Sequence, residues 1–372
     1  MFTVRALSEA QFFALEEDWR ELLSRTDADP LFMSWPWQVS WWEVWGNKLN
    51  LQLLLLAVFD RDDRLVALAP LYASQYRTPI GWHLKRLHVI GNAWRLGPTV
   101  RTEYVGYICD DKYKPEALEA LSVYLKGEAW DELILADATE SEVAGWGQAL
   151  EHHMSVSCHV RSEAEGIAID TAGSHDEWLA SLGKNTRLKV YNRRSLFEGA
   201  LGGHRLACSD HEKFLEILNG FHVTRWGKPC FDADAVRFHR LLLARLDDTQ
   251  KAQLSVLKAG EKVVSVLYDI RARNRIYNLQ AGFREQFHPK ISLGTLHLGY
   301  SIEDAFRNVE IDSYDLLAGS GKNTFYKSRF KGQTVRFPTV EYVRSPVLKA
   351  AYGARGYLPQ GLVSSVNRFF RL

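Results

Sequence analysis

The chain is 372 residues long and holds four cysteines, Cys109, Cys158, Cys208 and Cys230, with no C-x-x-C pair and no histidine cluster beside them. That scarcity argues against a disulfide framework and against a structural zinc site, and it fits a reducing compartment. Buried, inert thiols are the expectation for all four. Long apolar runs are also missing. The longest, Leu53 to Phe59, has a strand's length and falls far short of the roughly 20 residues a spanning helix requires. Neither charge sign is in excess, with 46 basic residues against 45 acidic, so no whole-molecule field recruits nucleic acid or an anionic membrane. The early residues include Glu9, Glu16, Glu17 and Asp18 instead of the basic-then-apolar order of an export signal, so a cytoplasmic location is expected. Heptad stretches, low-complexity segments and acidic tails are absent.

What is present reads as an α/β (α+β) chain of two similar halves. Ser8-Glu9-Ala10-Gln11 is a capping box that opens a helix through Phe12, Leu15, Trp19, Leu22 and Leu23. Apolar runs at Leu53 to Phe59 and Leu65 to Ala73 flank a polar turn and predict an antiparallel hairpin. Further strands are expected at Arg86 to Ile90, Tyr104 to Cys109 and Glu132 to Ala136, with a helix over Pro115 to Gly127. A second capping box, Ser174-His175-Asp176-Glu177, and a second hairpin, Gln253 to Lys258 with Lys262 to Ile270, repeat the plan. The expected division is 1–170, 171–345 and a tail, 346–372.

Three segments stand out. Phe32-Met33-Ser34-Trp35-Pro36-Trp37 and Trp41-Trp42-Glu43-Val44-Trp45 hold five tryptophans, expected to pack in a core with one or two exposed. Lys184, Arg187, Lys189, Arg193 and Arg194 form the most basic stretch; on one helix, Lys184, Arg187, Tyr191 and Arg194 share a face that suits an anion. In the tail, Leu362, Val363, Val366, Phe369 and Phe370 alternate with Arg368, Arg371 and small polar residues, a pattern that suits an interfacial anchor or docking on the protein's own core.

The C-terminal half carries the most informative order. Strand Val263 to Tyr268 leads to strand Ile276 to Gly282. A turn ending in Ser292-Leu293-Gly294-Thr295 then opens a helix through Phe306, followed by strand Tyr314 to Gly319 and by Tyr326-Lys327. This order resembles the acyl-donor half of GNAT acyltransferases, in particular their CelD-like branch, relatives of the FemAB peptidyltransferases. The aromatic segment, the basic segment and Arg225-Trp226 are similar to features of that branch too. The resemblance implies tandem GNAT-like domains, each a central mixed, mostly antiparallel sheet flanked by helices.

It also implies amide-forming transfer of an acyl group from a thioester, with acyl-CoA as co-substrate and no metal. Ser292, Leu293, Gly294 and Thr295 would cradle the donor's phosphates, since a helix start offers free amides and a favourable dipole. Gln280 or Asn278 would hold the acyl carbonyl or the acceptor, with Tyr277 on the opposite face of the strand. His288 is the expected base, with His222 as a second candidate. Tyr326 would protonate the departing thiolate, and Lys327 would neutralise a phosphate or the oxyanion. Lys184, Arg187, Tyr191, Arg194, His222, Arg225 and Trp226 would border the acceptor. The acceptor is expected to be an amine of an envelope lipid, such as a sphingoid base, or an amino sugar, with peripheral contact at the inner membrane. The alternatives are aminoacyl transfer from tRNA, the one nucleic acid in question, and a non-catalytic GNAT-fold binding module.

Overall fold

The computed structural model describes residues 2–319, 326–354 and 360–370. Two compact units emerge, one from residues 1–163 with 336–372 and the other from 164–335. The first unit opens with β1 (Thr3–Leu7), α1 (Glu9–Ala14), α2 (Glu16–Ser24) and α3 (Trp35–Trp45). The Ser8 box forms as expected: its hydroxyl accepts from the Gln11 N–H, while the Gln11 side chain accepts from the Ser8 N–H at 2.9 Å. Then come β2 (Gln52–Phe59), β3 (Leu65–Arg77), β4 (His83–Val89), β5 (Ile108–Cys109), α4 (Lys114–Gly127), β6 (Glu132–Leu135) and α5 (Glu140–His153).

In the second unit, β7 (Ser157–Asp170, its latter half) is followed by α6 (His175–Ser181), α7 (Lys184–Arg187), two π-helical turns over Leu188–Asn192 and Leu196–Ala200, and β8 (Gly203–Ala207). Next are α8 (His211–Trp226), α9 (Ala233–Arg245), β9 (Gln250–Ala259), β10 (Lys262–Ala272), β11 (Arg275–Phe283), α10 (Leu293–Arg307) and β12 (Ser313–Gly319). The chain then returns through β13 (Gln333–Val343) to α11 (Pro346–Ala354) and α12 (Gln360–Phe370) of the first unit.

The two units repeat one strand plan. In the first, the order is β1-β2-β3-β4-β6-β13; in the second, β8-β9-β10-β11-β12-β7. Each is antiparallel except at the fourth and fifth strands, β4 with β6 and β11 with β12, which are parallel and joined through a crossover helix, α4 or α10. The sixth strand explains why the observed division departs from 1–170, 171–345 and a tail. β13 pairs with β6 from Val340↔Leu135 to Val343↔Glu132, so residues after 335 complete the first unit's sheet.

In the first unit, α3 is buried almost throughout. Ser34 caps it, and all five of its tryptophans are inside, against the expectation that one or two would be exposed. Three of the indole N–H groups draw on neighbouring acceptors: Trp35 donates to the Phe12 carbonyl at 3.0 Å, Trp37 to the Thr102 hydroxyl at 2.9 Å and Trp42 to the Glu9 carboxylate at 2.8 Å. A helix with large apolar side chains on every side belongs in a core. The tail resolves toward self-docking: Val366 and Phe370 of α12 pack with Tyr76, Trp82 and Leu84, and the Tyr76 hydroxyl donates to the Phe369 carbonyl at 3.0 Å. Residues 355–359 and 371–372 of that segment lie outside the described residues. Among the described residues, no helix is long and apolar enough to cross a membrane.

The thiols also differ from expectation. All four are free and Cys109 is buried, but Cys158 is exposed and Cys208 and Cys230 are half-buried. Burial pushes the Cys109 and Cys230 thiols up to about 12, so both stay protonated and unreactive near neutral pH.

Candidate active site

The second unit's parallel strands part company. β11 and β12 pair only at Arg275↔Ser313, Ile276↔Tyr314 and Tyr277↔Asp315, although β11 continues to Phe283 and β12 to Gly319. Beyond Tyr277 and Asp315 a fork opens between them. Irregularities in both strands produce it. Where β11 faces β10, the register steps from Asp269↔Asn278 to Tyr268↔Gln280 and skips Leu279, a β-bulge that leaves one peptide out of the ladder. On β12, Leu317 sits at φ 58°, the left-handed region that a branched side chain rarely adopts, and the register with β7 shifts between Asp315 and Ala318.

Specific side chains hold those distortions. An Asp315 carboxylate oxygen accepts from the Leu317 N–H at 2.7 Å. The Lys327 ammonium donates to the Leu317 carbonyl at 3.1 Å and the Ala318 carbonyl at 2.8 Å. At the fork's base lies Asp269, fully enclosed. It accepts from the Asn278 amide at 2.7 Å, the Ser301 hydroxyl at 2.6 Å and the Tyr314 hydroxyl at 2.9 Å, which ties β10, β11, α10 and β12 to one carboxylate. Burial pulls its pKa upward while the three donors hold it down.

α10 begins beside Phe283, the last residue of β11: a Cβ on Gly294 would lie 2.6 Å from the Phe283 ring. No side chain caps the helix, because the Ser292 hydroxyl bonds to the Thr295 hydroxyl at 3.0 Å. The first amides of a helix lack intrahelical partners, so this start presents free N–H donors. Thr295 in turn meets the Tyr326 hydroxyl at 3.1 Å. Burial pushes that phenol up to about 12, which keeps its proton in place at neutral pH. Farther along the helix, His297 sits between the Ser255 and Ser265 hydroxyls, each at 2.9 Å, and burial lowers its pKa far enough to keep it neutral.

Ser292, Thr295 and Tyr326 form one chain of hydroxyls, and Asn278 lies at the fork's base. His222, on α8, hydrogen-bonds through Nε2 to the Ala281 carbonyl at 3.0 Å, in the stretch where β11 has left β12. A carbonyl only accepts, so Nε2 carries the proton and Nδ1 is the ring's basic nitrogen. Arg225 pairs with Glu285 at 2.5 Å and lies over the Trp226 and Phe283 rings, while Trp226 is 61% exposed.

Several placements differ from expectation. Tyr277 is fully buried and belongs to the core. Gln280 folds back, its oxygen accepting from the Ala281 N–H at 3.0 Å. Lys327 is occupied by backbone carbonyls, and Gly294 makes room for a ring. His288 is held in a tight turn, where its Nδ1 accepts from the Lys290 N–H at 3.2 Å. The basic stretch is not one continuous α-helix. It widens into π turns where Gly299 admits it, since a Cβ there would lie 2.3 Å from the Val190 carbonyl oxygen. Arg194 is paired with Glu303 and lies over the Tyr191 and Tyr300 rings, and Arg187 donates to the Ala180 carbonyl at 3.3 Å. Lys184 remains exposed, and Tyr191 lines a separate cavity of about 320 Å³ with His175, Glu303 and Arg307. Sequence reasoning missed Asp269 and His297. A lone acid inside an apolar strand was the available signal for the first.

Residues 184–328 match the acetyltransferase (GNAT) domain family. No curated protein matches the chain. Among solved structures it is similar in fold to FemX, at 12% identity and a TM-score of 0.63, covering 94% of this chain and 99% of that one. It is also similar to the C-terminal domain of a putative lysylphosphatidylglycerol synthetase from Agrobacterium fabrum, at 11% identity and a TM-score of 0.51, covering 92% and 95%. L-PGS from Bacillus licheniformis aligns at 11% identity and a TM-score of 0.50, covering 92% and 93%.

Proposed function

From a chain whose residues 184–328 match the GNAT acetyltransferase domain and whose fold is similar to that of FemX, we propose an enzyme that moves an acyl group from acyl-CoA to the amine of an acceptor with an apolar body, such as a sphingoid base. The observation that carries this reading is the fork between β11 and β12 with the uncapped start of α10 beside β11's end. Helix-start amides favour the donor's phosphates, and the fork between the strands admits an extended arm. The two crossover helices contrast on this point. α4 is preceded by Asp110 and Asp111, with Lys114 bridging Asp111 and Asp27, so acidic side chains stand where a phosphate would approach; the first turn of α10 has no acid.

In the proposed reaction, His222 takes a proton from the acceptor ammonium at Nδ1. The amine nitrogen attacks the thioester carbon directly, and the N–H freed at the Leu279 bulge steadies the oxyanion. As the C–N bond forms and the C–S bond breaks, Tyr326 protonates the leaving thiolate, and the second proton that the nitrogen sheds in becoming an amide restores the phenol. Lys327 acts by holding β12 in shape. Exposed Val223 and Trp226 on α8, near His222, favour an apolar acceptor over an amino sugar. Pairing of Arg194 with Glu303 leaves less free positive charge for a tRNA donor. Peripheral contact with a membrane would follow from the acceptor's chemistry.

The test is thiol release from acetyl-CoA and a long-chain acyl-CoA, with a sphingoid base or glucosamine as acceptor. The reading expects amine-dependent release that is fastest with the apolar amine, lost by about 10²-fold or more in His222→Ala and retained in His288→Ala. Transfer from charged tRNA alone would replace it with the aminoacyl alternative, and no transfer from either donor would leave a binding module.

A further inference from the structure

We infer that Glu119, His152 and His153 of the first unit form a binding site for one divalent transition-metal ion, zinc by the chemistry of its donors. Glu119 lies on α4 and the two histidines end α5, so the set is assembled by packing two helices, and the 33-position separation of Glu119 from His152 hides it from any sequence spacing. One ligand atom from each of the three lies within 4.8 Å of the others. The His152 and His153 rings meet edge to face with centroids 4.8 Å apart, and His153 Nε2 is hydrogen-bonded to a Glu119 carboxylate oxygen.

Two imidazoles and one carboxylate are a zinc donor set with the fourth position left for water, at metal–ligand lengths of roughly 2.0–2.2 Å. Tetrahedral geometry at those lengths puts donors roughly 3.3–3.5 Å apart, so the hydrogen-bonded His153 and Glu119 must move apart and His152 must close on them, each by an ångström or so. His152 is exposed and Glu119 and His153 are half-buried, so their rotamers can make that adjustment without disturbing a core. The last-turn carbonyls of α5 add negative potential where the cation would sit. Access is provided by an open cavity of about 710 Å³, which His153 lines together with Lys126, Trp130 and Met154. On binding, the ion replaces the proton shared between His153 and Glu119, and no redox change is involved. The acyl transfer proposed above uses none of these residues.

The experiment is calorimetric titration of the untagged, chelator-treated full chain with zinc chloride, repeated on the His152→Ala/His153→Ala double variant, on Glu119→Gln and on a His204→Ala control. Saturation at one zinc per chain is expected, with affinity falling at least about tenfold in the double variant and unchanged in the control. Zinc should raise the melting temperature of the wild type and the control but not of the double variant. Absence of saturable binding, or equal affinity in the double variant, would overturn the assignment.

Discussion

Removing the Asp269 carboxylate from β10 takes the common acceptor from three neighbouring elements at once. Its bonds to Asn278, Ser301 and Tyr314, at 2.7, 2.6 and 2.9 Å, are charge-assisted and enclosed, a class worth roughly 1.5–3 kcal/mol each before desolvation is counted. Asp269→Ala leaves the Asn278 amide and two hydroxyls without that acceptor and opens a small void. The expected loss is about 3–5 kcal/mol, from three enclosed polar groups stranded at roughly 1–3 kcal/mol each and partly relieved by relaxation. Asp269→Asn keeps an oxygen for Asn278 and offers an amide to the Ser301 and Tyr314 oxygens, which can turn to accept, so its cost should be about 1–2 kcal/mol. For a unit of this size each kcal/mol lowers the melting temperature by roughly 2–4 °C, which places the alanine variant roughly 6–20 °C below wild type. Scanning calorimetry should show that order, with the asparagine variant between the other two. An alanine variant that melts within about 2 °C of wild type, or an asparagine variant as damaged as alanine, would refute the claim that this carboxylate pins the fork.

Three further outcomes follow from the same structure. Tyr326→Phe should lower kcat by about 10²–10⁴ with donor KM little changed, as read from steady-state thiol release; an unchanged kcat would remove Tyr326 as the acid. Burial raises the Glu142 carboxyl to about 8, above its unfolded value, so its contribution to stability is present below the unfolded pKa and lost as pH rises toward 8. Melting curves should therefore show Glu142→Gln matching wild type near pH 4 and exceeding it at pH 8, and parallel curves would contradict this. Gly299→Ala, although alanine favours helices, should cost about 1–3 kcal/mol in urea unfolding, because the added Cβ meets the Val190 carbonyl.

Local signals in the sequence were read correctly where the chemistry is local. The Ser8 box, both hairpins and the crossover helices appear where capping residues and apolar periodicity put them. Strands completed by distant partners were not legible. β7 mixes charged residues through most of its length, and β13 carries Pro338 in its interior, so neither reads as a strand until its neighbours are known. The site divides similarly. The order of strands and the Ser292 turn are visible in the letters, but the fork depends on a bulge at Leu279 and a left-handed Leu317 that no residue type announces. Arg194 looked free because Glu303, its partner, lies 109 residues away. Lys327 looked like a phosphate ligand because its carbonyl partners are backbone atoms.

The most direct measurement of the central claim is calorimetric titration of the chain and of Ser292→Asp with acetyl-CoA and a long-chain acyl-CoA. Aspartate at this position should cap α10, hold or raise the melting temperature, and set a negative charge against the donor's phosphates. The account predicts one acyl-CoA bound per wild-type chain, tighter for the long chain, with affinity reduced at least about tenfold, or 1.4 kcal/mol, in the folded variant. Equal affinity in the variant, or no acyl-CoA binding by wild type, would contradict it.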